Sequence, residues 1–184
     1  MVDMIKAQAQ LFSSGPAFAN RFKIQLPSSS SFDMGVNGVT GESINIFCSE
    51  VSLPSRMFDT VDNVIGMVGV KMPNRVVNDD ISFTFILDGK YQMKNYFDAW
   101  QAKIFNPESQ NIYELGFRED YAKPVQIFQL DKKTEKPIYG CNLNGAYPIS
   151  VEAIRLSNDI ATDVQRVTVT LSYATWDIID IKKK

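Results

Sequence analysis

Between Gln165 and Tyr173 apolar and polar residues alternate without interruption: Val167, Val169, Leu171 and Tyr173 take one parity, Thr168, Thr170 and Ser172 the other. Successive side chains on a strand point to opposite faces, so this pattern suits a strand with one face on a core and the other in water. The pattern recurs along the chain. Phe22, Ile24 and Leu26 alternate with Arg21, Lys23 and Gln25, and Ile81, Phe83, Phe85 and Leu87 share one face over Asp80 to Leu87. Ile44, Ile46 and Cys48 hold alternate places in a strand predicted over Ser43 to Leu53. Shorter strands are predicted over Val125 to Leu130, Ile138 to Leu143 and Ile149 to Ile154, and the strand from Gln165 is predicted to run to Ile179. Strands with one wetted face belong to antiparallel sheets.

One segment obeys a different period. From Tyr91 to Phe105, the residues Met93, Tyr96, Phe97, Trp100 and Ile104 recur every three or four positions, which gives a helix one apolar stripe. Asp88-Gly89 supplies the turn into it and Pro107 lies just past its end. Helical spacing makes Tyr96, Phe97 and Trp100 core residues rather than a ligand box. A short helix is also predicted over Val2 to Phe12. The expected fold is mainly β, a small antiparallel barrel or sandwich with one packed amphipathic helix, forming a single domain over residues 1–184. A chain of this length can bury roughly 70% of its unfolded surface.

Two segments stand outside this scheme. Pro27 to Gly41 carries four consecutive serines and Asn37-Gly38, and reads as a flexible loop. Pro54 to Pro73 is rich in apolar residues with few charges: Met57, Phe58, Val61, Val64, Ile65, Met67, Val68, Val70 and Met72, punctuated by Gly66 and Gly69. A bulged or bent hairpin is expected there. It could be a pair of core strands. The alternative is an extended arm that packs on another subunit, a role for which adaptable methionines are suited.

The chemistry available is narrow. There is no histidine, so the commonest general base and metal ligand are missing, and with them Ser-His-Asp and Cys-His arrangements. The two cysteines, Cys48 and Cys141, lie in apolar strand-like segments and are read as reduced thiols rather than a disulfide framework. Gly35, Gly38 and Gly41 do not open a helix, so they do not match a nucleotide fingerprint. Asp79-Asp80 and Glu119-Asp120 are neighbours in sequence, and on a strand neighbours point apart, which is poor geometry for shared acid–base work. A carboxylate hydrolase is the enzyme reading that this leaves. Trp176 follows the last alternating strand, and its indole N–H needs a partner if buried.

Charge and hydropathy narrow the partners. Lys and Arg number 19 against 21 Asp and Glu, a net charge of -2, which is not the basic surplus of a protein that grips phosphates. Lys182-Lys183-Lys184 is read as a solvated tail. No run approaches the roughly 20 apolar residues of a membrane helix, and Met1 to Leu11 lacks the apolar stretch of a secretory signal. The expected compartment is the cytoplasm, with no membrane anchor.

The order of these features resembles a known family. Phe12-Ser13-Ser14-Gly15 precedes the strand Arg21 to Leu26; Phe47-Cys48-Ser49-Glu50-Val51-Ser52-Leu53-Pro54 leads into the apolar arm. The strand Ile81 to Leu87 and a helix ending in Phe97-Asp98-Ala99-Trp100-Gln101 follow. Asn144-Gly145-Ala146-Tyr147-Pro148 reads as a turn before a strand, and Tyr173-Ala174-Thr175-Trp176 closes the series. Together they resemble the tail tube proteins of contractile-tailed phages of the T-even type, whose fold also occurs in the ring proteins of type VI secretion.

The resemblance implies a structural subunit without catalytic residues, metal or cofactor. Such subunits form homo-hexameric rings that stack into a tube inside a contractile sheath. Sheath, baseplate and tail-terminator proteins are the implied partners, and DNA or a tape-measure protein passes through without specific binding. The implied location is the tail of the virion, after assembly in the host cytoplasm. Residues 54–73 become the inter-subunit arm, and Thr168, Thr170 and Ser172 become candidates for the lumen wall. A baseplate initiator, a tail-completion ring and a type VI-like ring protein remain as alternatives. The loops Pro27 to Gly41 and Asn106 to Asp120 exceed the family's usual lengths and are expected on the outer or inter-ring surface.

Overall fold

The computed structural model describes residues 18–28, 41–65, 68–105, 115–132, 134–157 and 164–181. The helix predicted over Val2 to Phe12, most of the serine-rich loop and much of the segment from Asn106 to Asp120 lie outside them.

The described chain runs β1 (Phe22–Gln25), α1 (Gly41–Phe47), β2 (Cys48–Val51), β3 (Met57–Ile65), β4 (Val68–Val77), β5 (Ile81–Ile86) and α2 (Gln92–Ile104). Then come α3 (Arg118–Tyr121), β6 (Lys123–Leu130), β7 (Pro137–Val151), β8 (Arg166–Ser172) and β9 (Thr175–Ile178). All described strand pairings are antiparallel. Seven strands form one folded sheet in the order β1-β6-β7-β8-β5-β2, with β9 also on β7, while β3 and β4 pair only with each other.

The strand β7 is the corner of this architecture. Its first half pairs with β6 and β9, and its second half, Tyr147 to Val151, pairs with β8. Between Val125↔Leu143 and Lys123↔Ala146 the register shifts, so Asn144 and Gly145 stand opposite Pro124 alone. Gly145 adopts φ +64, a left-handed conformation that glycine takes at little cost, and this is the geometry of a bulge. The segment Asn144 to Pro148, expected as a turn, is therefore a bend inside one long strand. It merges the predicted strands Ile138 to Leu143 and Ile149 to Ile154 as far as Val151.

The two-residue alternation sorts the core as expected. On β5, Ile81, Phe83 and Phe85 are buried, and on β8 Val167, Val169 and Leu171 are buried, while Ser82, Thr84, Thr168, Thr170 and Ser172 face outward. Tyr173 continues the buried parity, but the strand breaks at Tyr173-Ala174 before resuming as β9. Helix α2 adds Met93, Tyr96, Phe97 and Trp100, each with no exposed surface. Its aromatics pack edge-on and stacked, with Phe97 5.2 Å from Phe85 and 5.1 Å from Tyr96 between ring centroids. Both polar handles are satisfied: the Tyr96 hydroxyl donates to Pro27 O at 2.6 Å and Trp100 Nε1 donates to Tyr121 O at 2.8 Å. Asp88 starts the helix by accepting from the backbone N–H of Gln92 at 2.8 Å.

One predicted strand is wrong in its first half: the residues up to Phe47 in Ser43 to Leu53 are helical. The helix buries Ile44, with Phe47 half-buried, and leaves Ile46 76% exposed, while Cys48, four residues after Ile44, is buried as the first residue of β2. Alternation and helical spacing coincide at Ile44 and Cys48, and only Ile46 distinguishes them. The helix has a local use, since Asn45 Oδ1 accepts the N–H of Ile24 at 2.6 Å on the β1 edge. That blunts an otherwise open strand.

Candidate assembly surfaces

The two sequence-predicted surfaces both lie on strands, and the fold turns them to opposite uses. In β3 and β4 six apolar residues, Met57, Phe58, Val61, Val70, Met72 and Val76, are exposed. Met57 is 56% exposed, Phe58 54%, Val61 52%, and Val70 and Met72 44% each. The hairpin aligns Phe58 with Val76, Val61 with Met72 and Asn63 with Val70. Val64 and Ile65 stand opposite Gly69 and Val68 toward the tip, and Met67 lies outside the described residues. The reading of Pro54 to Pro73 as core strands fails, because the described apolar side chains from Met57 to Met72 are exposed and, among the described residues, the hairpin pairs with no other strand.

The hairpin is bulged, though not at Gly69, which pairs in register with Val64. Asp59 opposes Arg75 and Thr60 opposes Pro73, so Asn74 is the extra residue. Pro73, which cannot donate a ladder hydrogen bond, sits beside this irregularity, where a sheet tolerates it. The arm thus extends to Val77 and gains the exposed Val76, which the boundary at Pro73 omitted. Asp59 and Arg75 form a cross-strand ion pair at 3.0 Å on the exposed arm.

At the root, Trp176 on β9 meets the entering leg of the hairpin. Its Nε1 donates to Ser55 O at 3.2 Å, its carbonyl oxygen accepts from Arg56 Nη2 at 3.1 Å, and the Arg56 guanidinium lies 4.6 Å over its ring. The leaving leg is tied at Asn78, whose Nδ2 donates to Ala174 O at 2.9 Å, and Ser55 Oγ donates to Asp79 Oδ2 at 2.6 Å. Close by, burial pushes the Tyr173 phenol up, with Asp79 and Asp80 adding to the effect and Arg56 opposing it. Sequence reasoning flagged Trp176 as needing a partner but had no means to find it, since Ser55 lies 121 residues away.

The second surface is the outward face of the sheet β2-β5-β8-β7. Thr168 stands opposite Thr84, and Thr170 opposite both Ser82 and Ser150, so the face is a ladder of hydroxyls. Thr168, Thr170 and Ser172 are half-buried side by side, as their parity predicted. A third feature escaped the sequence: an apolar groove of about 590 Å³ between the end of α2 and β7, lined by Gln101, Ala102, Phe105, Pro148 and Ile149.

Asp79 and Asp80 are exposed, and among the described residues no three acidic, cysteine or histidine side chains gather as a metal site would require. Cys48 and Cys141 are buried and free, and burial raises their thiols to about 12 and about 11.

The comparisons agree with this geometry. No curated protein matches the chain in sequence. Among solved structures, the chain superposes on the tube-terminating cap of the anti-feeding prophage with a TM-score of 0.61 at 18% identity, covering 89% of this chain and 91% of that one. It also superposes on a chain of the PVC extracellular contractile injection system sheath-tube complex, with a TM-score of 0.59 at 15% identity, covering 94% and 97%. A chain of the anti-feeding prophage baseplate gives 0.60 at 15% identity, with 92% and 99% covered. At these identities the likeness is one of fold. The sequence itself carries the family: residues 17–179 match the model of the phage tail tube protein family, a span that takes in the sheets, the helix and the arm alike. An exposed apolar hairpin on a hydroxyl-faced sheet is thus the form this chain gives to a tube subunit, and the chain belongs to the phage tail tube protein family.

Proposed function

We propose that six copies of this subunit close into a ring, that rings stack through the β3–β4 arm, and that the resulting tube conducts DNA without catalysing any reaction. The observation that carries this is the arm. A two-stranded hairpin is at best marginally stable alone in water, and this one spends its apolar residues on solvent. Burial against a neighbouring subunit accounts for both facts. Met57, Phe58, Val61, Val70, Met72 and Val76 supply that contact, with Val64, Ile65, Met67 and Val68 at and beside the tip.

Ring closure is supported by the sheet edges. In β2-β5-β8-β7, β2 pairs only with β5, and Tyr147 to Val151 pairs only with β8 among the described residues. Joining one edge to the other edge of the next copy removes both in a closed ring. The hydroxyl face with Thr168, Thr170 and Ser172 then becomes the lumen wall. A wall made mostly of hydroxyls, with Arg166 at one end of β8 and Glu50 opposite Thr84, gives a polyanion few cations to hold its phosphates. Sheath and baseplate contacts fall to the remaining outer surface, and the working location is the tail of a phage particle assembled in the host cytoplasm.

Replacing Val61 and Met72 together with Asp tests the arm. Sedimentation velocity should show the variant as folded monomers or single rings where the parent forms long assemblies. Assemblies of parental length from the variant would remove the arm from the account.

A further inference from the structure

The root of the arm is held more closely than a passive linker requires. Five contacts converge on it: Trp176 Nε1 to Ser55 O, Arg56 Nη2 to Trp176 O, the Arg56 guanidinium over the Trp176 ring, Asn78 Nδ2 to Ala174 O, and Ser55 Oγ to Asp79 Oδ2. Four of them bind both legs of the hairpin to one short stretch, Ala174 to Trp176, where β8 gives way to β9, and the fifth ties the two legs to each other. That stretch is itself anchored, since Trp176 pairs with Leu143 and the Ala174 N–H donates to Asn144 O at 3.0 Å beside the bulge of β7. Among the described residues, the arm has no other strand partner.

We propose that Arg56 and Trp176 form an orientation clamp, which sets the angle of the β3–β4 arm on the barrel before assembly and so determines whether its apolar face can meet a neighbour. This rests on the reading of the arm as the stacking element. The physical reason is entropic. A hairpin hinged at two unstructured legs must lose its angular freedom when it docks, and a hairpin already fixed has lost it on folding. Arginine suits the task because its planar fork can donate to a carbonyl while its face stacks on an indole. Arg56 and Trp176 are therefore positioning residues, acting through the arm rather than at the subunit contact.

The test is made on the full chain with two spin labels, one on the arm at Asp62→Cys and one on the barrel at Lys90→Cys. The native thiols are buried and protonated at neutral pH, so they do not compete for the label. Under conditions that keep the protein monomeric, the parent should give a narrow distance distribution. Arg56→Ala should broaden it while circular dichroism and the thermal midpoint stay parental, since Arg56 is exposed and outside the core. Arg56→Lys, which keeps a cation over the ring, and Trp176→Phe, which keeps the ring but not its donor, should each fall between. Tube formation should then need about tenfold more Arg56→Ala protein than parent, the size expected for losing one charge-assisted hydrogen bond. A distribution as narrow in Arg56→Ala as in the parent would overturn the clamp. If the parent itself never forms tubes, the stacking reading fails instead, and the label distances still decide the clamp.

Discussion

The folded sheet and the arm are built from the same kind of strand and use it in opposite ways. On β5 and β8 the apolar parity, Phe83, Phe85, Val167, Val169 and Leu171, is buried in one cluster with Met93, Tyr96, Phe97 and Trp100 of α2. On β3 and β4 the apolar residues, Phe58, Val61, Val70, Met72 and Val76, are left in water. Periodicity sets which residues share a face, but not whether anything covers that face. On the proposed function, stability of the monomer resides in the first set, and the second gains its burial from another subunit. Changes in the two regions should therefore separate cleanly, one moving stability and the other assembly.

The sharpest way to break the comparison is in the core. Phe97→Ala removes a fully buried ring in contact with Phe85, Tyr96 and Trp100, and should cost about 3–5 kcal/mol in a urea titration. Assembly should then fail only because the monomer unfolds. Next in size is the arm. Phe58→Ser with Val76→Ser, an exposed facing pair, should shift monomer stability by no more than about 0.5 kcal/mol while tubes are lost in electron micrographs. A loss of several kcal/mol would mean that the hairpin is part of the monomer's core after all.

The third difference appears with pH. The folded-state pKa values of Cys48 and Cys141 lie above their ordinary value because burial disfavours the thiolate, and Tyr96 is raised by the same cause. A raised folded-state pKa gives stability that is complete below about pH 9 and is lost as pH rises toward 11–12. Each thiol can remove up to about 1.4 kcal/mol per pH unit in that window. Denaturant midpoints at pH 8, 10 and 11 should fall in that order, less steeply for Cys141→Val, and the arm, which carries no cysteine, should not alter the slope. The smallest effect is on the hydroxyl face. Thr168→Lys should leave monomer stability within about 0.5 kcal/mol and still permit tubes, while slowing DNA release from particles that carry it.

Where the sequence was legible, one residue pattern answered one physical question. The parity of Val167 to Tyr173 and the stripe of Met93, Tyr96, Phe97 and Trp100 found the core, because the two apolar faces belong to elements that the fold packs into one cluster. The Ile44-Ile46-Cys48 spacing misled, because helix and strand periods agree at two of its three positions and the third is exposed. Asn144 to Pro148 carries turn residues, yet a left-handed glycine serves a bulge as well as a turn, and only pairing with β6 and β8 distinguishes them. The root of the arm was out of reach for another reason. Arg56 and Trp176 are 120 residues apart, and no local pattern links them. The groove beside Phe105 and Ile149 arises from the packing of α2 on β7, and is likewise a property of the fold alone.

The most direct test of the central claim is electron microscopy of the purified protein at high concentration and moderate salt, with class averages of end-on views. Hollow tubes of stacked six-fold rings, absent from the Val61→Asp, Met72→Asp variant at the same concentration, are the result predicted here. Rings of another order, or tubes formed equally by the arm variant, would contradict it.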